Sequence, residues 1–133
     1  MDCPHCGVEP LVALEHQRVE VDYCAKCMGV WLSAGEIELI YGDAGAARDF
    51  LESRNPVPRG EKPRRCPECG KRMVKEATEG SHPVTIDRCP RGHGLWLDRG
   101  ELATVLDPAA SEDISTEVGR FLLEIFPGAT HGQ

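Results

Sequence analysis

The spacing of apolar and polar positions changes several times along the chain. Between Leu11 and Tyr23 two apolar-rich arms flank the polar run Glu15–Arg18. The second arm alternates, with Val19 and Val21 one way and Glu20 and Asp22 the other. A period of two predicts an antiparallel β-hairpin. "PVTID" (83–87) repeats the alternation with Val84 and Ile86, after the turn-forming tip "EGSHP" (79–83). Two later stretches read Trp-Leu followed by a helix start, Ser33-Ala34-Gly35-Glu36 and Asp98-Arg99-Gly100-Glu101. Both are capping boxes: the Ser or Asp oxygen can accept from a free helix amide, and the Glu three residues on can bond back to the cap's own N–H. "DAGAARDFLES" (43–53) predicts helix, and the Pro-rich, basic "RNPVPRGEKPRR" (54–65) predicts an extended segment. Beyond Pro108, the residues Ile114, Val118, Phe121, Leu122 and Ile125 fall on one face of an amphipathic C-terminal helix, capped by Ser111 or Asp113. Residues 127–133 read as a frayed tail.

These elements form one unit written twice. Cys3 and Cys6 map onto Cys66 and Cys69 at an offset of 63. Cys24, Trp31, Leu32, Gly35 and Glu36 map onto Cys89, Trp96, Leu97, Gly100 and Glu101 at an offset of 65. A hairpin loop absorbs the difference. The expected organisation is a first unit with its helix (1–53), a linker (54–65), a second unit (66–107), and a terminal helix with tail (108–133). Each unit is a β-hairpin bearing two cysteine turns and leading into a capped helix.

Composition changes this picture in one respect. The chain has 133 residues, and its aromatic content is 5%. Such a small, aromatic-poor chain predicts a thin core that needs metal, disulfides or a partner. Seven cysteines offer metal or disulfides. No basic segment followed by an apolar run opens the chain, and no stretch approaches the roughly 20 apolar residues of a membrane span. The expectation is a cytoplasmic protein away from membranes. Reduced thiols in an odd number then point to metal. The fold class is small, metal-stabilised α+β.

Paired Cys-x-x-Cys turns separated by a hairpin are a specific signal for tetrahedral zinc, which needs four soft ligands at roughly 2.3 Å. Cys3, Cys6, Cys24 and Cys27 supply four thiolates in the first copy. Gly7, Gly70 and Gly29 follow the turns, where they permit positive φ and let amides approach sulfur. In the second copy Cys66, Cys69 and Cys89 fit directly, but Gly92 stands where the fourth cysteine belongs. His93 is the candidate replacement, because its longer side chain needs a retreating backbone and Gly92 and Gly94 flank it. Two alternatives stand beside it: His82 reaching in from the hairpin tip, or a second site without metal. Two zinc ions per chain follow from the first reading. Closed, thiolate-rich sites leave no position for substrate and are structural, so no catalytic residue is assigned and the chain is not expected to be an enzyme. Metal removal is expected to unfold both units. Trp31 and Trp96 read as core, each packing over its own hairpin and bracing its metal turn.

At this point "CPHCG…VEVDYCAKCMGVWLSAGEIE" and "CPECG…VTIDRCPRGHGLWLDRGELA" resemble the TFIIB-type zinc-ribbon family of small prokaryotic proteins. That family pairs C-P-x-C with a strand, a second cysteine turn and G-x-W-L-D-x-G-E-L. The chain departs from the pattern at Ser33 and at Gly92-His93. The resemblance implies two tandem zinc ribbons and an association with transcription.

Charge separates the possible partners. Residues 54–75 carry 8 basic and 2 acidic side chains, between blocks of 3 basic and 10 acidic (1–53) and 4 basic and 10 acidic (76–133). The total of −7 argues against indiscriminate coating of nucleic acid. The leading expectation is a protein-interaction adaptor, with an unidentified protein partner and a dimer through the C-terminal helix as an option. One alternative is a nucleic-acid-binding module using Arg59, Lys62, Arg64, Arg65, Lys71 and Arg72. Another is a zinc or redox sensor, since thiolates oxidise and release metal.

Overall fold

Each copy of the repeat folds as a three-stranded antiparallel meander. The computed structural model describes residues 1–16, 18–41, 45, 54–58, 64–78, 83–105 and 116–126. The first copy contains β1 (Val12–His16), β2 (Val19–Tyr23) and β3 (Val30–Ser33), followed by α1 (Ala34–Tyr41). A short strand β4 (Arg54–Pro56) precedes the second copy, which contains β5 (Val74–Thr78), β6 (Thr85–Arg88) and β7 (Gly94–Leu97), then α2 (Glu101–Val105). The terminal helix is α3 (Thr116–Ile125).

The hairpins are where the alternation placed them. The third strand of each copy goes beyond the sequence reading, which took Trp-Leu as a lead into the helix. Val30, Trp31 and Leu32 are all buried, as are Gly94 to Leu97. A strand covered on both faces loses the polar half of its alternation. These two strands also join the copies. β3 pairs antiparallel with β7, with Trp31 opposite Trp96 and Leu32 opposite Leu95. The sheet is continuous through seven strands in the order β1-β2-β3-β7-β6-β5-β4. A pseudo-twofold axis therefore passes through the β3–β7 seam, and β1 and β5 occupy equivalent positions.

The two faces of this sheet do different jobs. Val30, Leu32, Leu95 and Leu97 point to one side, where they meet Ile37 and Ile40 of α1, Leu102 of α2 and Leu122 of α3. This aliphatic core runs across both copies without a break, so the low aromatic count did not mean a poor interior. Complete burial of one such side chain stabilises the fold by about 1.5–3 kcal/mol. The opposite face carries Trp31 and Trp96 together with buried Cys3, Cys24, Cys66 and Cys89.

Leu122 of α3 and Phe126, just past its end, are buried within the chain. Phe121 stacks on His16 with ring centroids 4.1 Å apart, and Phe126 meets Tyr23 edge-on at 5.5 Å. Ile125, assigned to the apolar face, is 38% exposed instead. Ile114, the candidate caps Ser111 and Asp113, the 43–53 helix and the 127–133 tail lie wholly or almost wholly outside the described residues.

The capping boxes are realised unequally. In the second copy the Asp98 N–H donates to Glu101 Oε1 at 2.7 Å, which is half of the reciprocal pair. The Asp98 carboxylate does not return the favour, because it accepts from Arg64 and Trp96. In the first copy Glu36 reaches sideways and takes the N–H of Glu20 on β2 at 2.8 Å. That strand extends past its registered pairing with β3, which begins at Asp22, so the carboxylate satisfies an amide on the strand's overhang.

Candidate metal centres

Two tight turns build each cluster. In the first, the Gly7 N–H donates to the Cys3 carbonyl at 2.8 Å, and in the second the Met28 N–H donates to the Cys24 carbonyl at 2.8 Å. Both turns close over five residues, and both need a left-handed residue at the end: Gly7 has φ 88° and Met28 has φ 62°. Methionine bears that conformation at some steric cost. Gly29, read from sequence as the residue with positive φ, is not one. A Cβ on Gly29 would instead lie 2.2 Å from Cζ2 of Trp96. Its bareness serves contact between the copies.

The sulfurs converge. Cys3 Sγ lies 3.7 Å from Cys27 Sγ, and Cys6 Sγ lies 3.8 Å from Cys24 Sγ. Four sulfurs each roughly 2.3 Å from one ion stand about 3.8 Å apart at the edges of a tetrahedron. Backbone donors support them: the N–H of Cys6 reaches Cys3 Sγ at 3.2 Å, and that of Cys27 reaches Cys24 Sγ at 3.4 Å. His5 is exposed, and its Nδ1 stands 3.7 Å from Cys6 Sγ, outside the four-donor set.

The second cluster joins Cys66, Cys69, Cys89 and His93, whose donor atoms lie within 4.8 Å of one another. His93 Nδ1 is 3.4 Å from Cys89 Sγ and 3.9 Å from Cys66 Sγ, and Cys69 Sγ is 3.7 Å from Cys89 Sγ. The backbone makes room as the sequence suggested, by one residue less of turn. The Gly92 N–H bonds to the Cys89 carbonyl at 3.0 Å, closing a four-residue turn in place of the five-residue turns elsewhere. Gly92 takes the left-handed conformation at φ 81°. The turn ends one residue earlier, and the imidazole spans the remaining gap. Gly94 has another reason to be glycine: a Cβ there would lie 2.2 Å from the Leu32 carbonyl oxygen across the seam. His82 lies outside the described residues.

Thiol protonation follows the same geometry. Burial pushes Cys66 up to about 12, and it raises Cys3 and Cys27 as well. At Cys89 burial is outweighed by donors, first the backbone of His93 and Arg91, and the thiol falls to about 7. Cys24 is lowered through the amides of Cys27 and Lys26 despite its burial. Cys24 in the first cluster and Cys89 in the second are thus the more readily ionised, while Cys3, Cys27 and Cys66 are held toward the protonated form until a metal displaces the proton. The donor chemistry, the spacing and the amide-to-sulfur bonds fit one zinc ion in each cluster, two per chain.

The tryptophans are core, but each serves the opposite copy. Trp31 Nε1 donates to Glu68 Oε2 at 2.9 Å, and Glu68 sits inside the Cys66–Cys69 turn. The Trp96 ring lies over Gly29, beside Cys27. Sequence had placed each ring over its own hairpin. The β3–β7 pairing, invisible to local pattern, swaps them. Both indoles are fully buried and cannot stack on bases.

The basic belt is partly neutralised inside the fold. Arg64 Nη1 contacts Asp98 Oδ1 at 2.7 Å and Asp87 Oδ2 at 3.2 Å, and Lys75 Nζ contacts Asp87 Oδ1 at 2.9 Å. Asp87 is 4% exposed, a buried carboxylate held by two cations. Sequence reasoning missed this network. The strand of Asp87, Thr85–Arg88, mixes polar and apolar residues, so no local signal marks Asp87 as buried. Arg65 Nη1 donates to the Gly70 carbonyl at 3.2 Å. Lys71 and Arg72 are exposed, and Arg59 and Lys62 lie outside the described residues. Between the first turns of the two copies lies a cleft of about 350 Å³, lined by Asp2, Pro4 and Gly7 and their counterparts Arg65, Pro67 and Gly70.

No curated protein and no solved structure matches the chain. Residues 2–41 and 65–108 match the family model described as transcription factor zinc-finger, of the TFIIB zinc-ribbon type. The two matched segments hold β1 to β3 and β5 to β7, and each contains one four-donor cluster. The chain therefore belongs to the TFIIB-type zinc-ribbon family, as a tandem member with two ribbons fused through their third strands.

Proposed function

We propose that this chain is a non-catalytic zinc protein of the cytoplasm that works as a protein-interaction adaptor, with a place in transcription suggested by its family. The observation that carries this reading is the division of charge between the copies. Arg64 and Lys75 lie against Asp87 and Asp98, and Arg88 pairs with Glu76 at 2.9 Å. Cations held by internal carboxylates are poor phosphate ligands. The acidic residues of the first copy carry no such partners among the described residues. Four protein donors around each cluster leave no coordination position for a substrate, which supports a scaffolding role for the metal. Burial of Leu122 and Phe126 weighs against a dimer through the terminal helix.

The nucleic-acid reading keeps one supporting observation, the exposed pair Lys71 and Arg72 at the rim of the second copy's first turn. Fluorescence anisotropy with random DNA and RNA at low salt separates the two. The adaptor reading expects no saturable binding, because phosphate contacts are strongest at low salt and are absent even there. Tight, salt-sensitive binding that disappears in a Lys71→Ala/Arg72→Ala variant would replace the adaptor reading with the nucleic-acid one.

A further inference from the structure

The pseudo-twofold axis makes the two copies comparable position by position, and they differ at one edge. In the second copy β4 lies antiparallel on the outer side of β5, with Arg54 opposite Thr78, Asn55 opposite Ala77 and Pro56 opposite Glu76. The Val57 N–H then donates to the Lys75 carbonyl at 3.1 Å. In the first copy the equivalent strand is β1, and among the described residues nothing pairs with its outer side. A sheet edge with free N–H and C=O groups is a template for another strand.

The charges differ at the same place. Lys75, which holds Asp87, corresponds to Ala13, and Asp22 corresponds to Asp87. Ala13 lies directly opposite Asp22, and Glu15 directly opposite Glu20. Asp22, Glu15 and Glu20 share the sheet face that Asp87 and Lys75 share in the other copy. The anchoring carboxylate is thus repeated, its lysine is replaced by an exposed alanine, and two more carboxylates are added.

We propose that the outer edge of β1 receives an extended basic segment of a partner protein as an additional antiparallel strand, whose lysine or arginine reaches over Ala13 to Asp22. This rests on the adaptor reading and assigns its surface and the chemistry of its partner. The strand spacing supports the reach. The incoming residue opposite Ala13 lies two spacings of roughly 4.8 Å from Asp22. An alanine between them obstructs nothing, and an arginine or lysine spans that gap. The internal precedent is the basic, proline-bearing segment that begins at Arg54, which the sheet accepts on its other edge. A second copy is a poorer occupant, since antiparallel β1–β1 pairing brings the Glu15 carboxylates together. The carboxyl chemistry agrees with uncompensated negative charge. Burial raises Glu36, helped by Glu20, Asp22 and Glu15.

The test uses the zinc-loaded full chain and a synthetic peptide with the sequence of residues 54–65, RNPVPRGEKPRR. Backbone amide shifts on titration are expected to centre on β1, and the amides of Ala13 and Glu15 are expected to gain protection from hydrogen exchange. The triple variant Glu15→Gln/Glu20→Gln/Asp22→Asn should bind about tenfold more weakly, as expected for the loss of three partly exposed ion pairs. Ala13→Pro, which removes one edge amide, should also weaken binding while leaving zinc content at two ions. Shifts centred on the cleft between the first turns, or unchanged exchange at Ala13 and Glu15, would overturn the proposal. So would a dimer, seen by light scattering, that Ala13→Pro converts to monomer. An interacting protein mapped to another surface would overturn this inference and spare the adaptor reading. Salt-sensitive nucleic-acid binding without peptide binding would overturn both.

Discussion

Gly29→Ala is the sharpest test of the seam between the copies. The new Cβ would sit 2.2 Å from Trp96 Cζ2 and 2.8 Å from Cη2, where carbon atoms prefer roughly 3.5–4.0 Å. The indole cannot step aside. It is fully buried, it lies opposite Trp31 across the strand pair, and its Nε1 is fixed to Asp98 Oδ1 at 3.0 Å. The backbone of Gly29 is held as well, because its carbonyl accepts from the Cys24 N–H at 3.0 Å inside the metal turn. Overpacking of this kind costs about 1–3 kcal/mol, and two anchored partners place it near the upper end. For a chain of this size the melting temperature should fall by about 10 °C. Gly35→Ala is the control. Gly35 is exposed in α1, and a Cβ there meets nothing within 4 Å. Better helix propensity should stabilise that variant by up to about 1 kcal/mol. Urea unfolding of the zinc-loaded proteins, with zinc content checked by native mass spectrometry, gives both numbers. In Gly29→Ala/Trp96→Phe the clashing atoms are gone, so the double variant should be more stable than the two single changes sum to. A Gly29→Ala protein as stable as wild type, or a cycle with no coupling, would refute the packing argument.

His93→Ala should leave one tightly bound zinc ion in native mass spectra and weaken the first site about tenfold, a coupling of ordinary size; two equally tight ions would remove His93 from the ligand set. Arg64→Ala leaves buried Asp87 with Lys75 as its cation, and urea unfolding should register a loss of about 2–4 kcal/mol. Burial, with Asp98 and Asp87 nearby, lifts Glu101 from 4.5 to about 7 in the folded chain. The folded state therefore holds this proton more tightly, and that stabilisation is complete below 4.5 and lost as pH rises through about 7. The stability difference between Glu101→Gln and wild type should shift in favour of the variant across that window, and a flat difference would refute the assignment.

Local signals in the sequence reached the hairpins, the paired turns and the repeat. Alternation at Val19–Asp22 and Val84–Ile86 reports a half-covered strand directly, and ligand spacing reports a turn that must close on one ion. Features that depend on the other copy were not legible. Trp31 and Trp96 look like local braces because nothing near them in the chain says that β3 pairs with β7. Gly29 and Gly94 look like turn residues because a close approach from a strand far away in sequence leaves no local mark. The capping box at Ser33–Glu36 was misread for a similar reason: an unpaired amide at Glu20 competes for Glu36, and that amide exists only because β2 outruns β3. Low aromatic content misled in another way. A continuous sheet lets Val, Leu and Ile from both copies share one interior, which two separate ribbons could not assemble.

The crossing of the tryptophans explains why the two metal ions should not act independently. Each indole is supported on one side by its own strand and on the other by a turn belonging to the opposite copy. Trp31 is tethered to Glu68 within the Cys66–Cys69 turn, and Trp96 closes over Gly29 beside Cys27. A turn that loses its ion regains the freedom of an open loop and no longer presents a fixed surface to the indole above it. That indole belongs to the other copy's third strand, which follows directly on the turn carrying half of the other site. The aliphatic face continues to hold the helices to the sheet, since none of its residues is a ligand. Loss of one ion is therefore transmitted through the seam and the tryptophan face, while the opposite face keeps the strands in register. That same arrangement leaves the outermost strands least dependent on the metals, and one of them, β1, is the edge proposed to receive a basic segment.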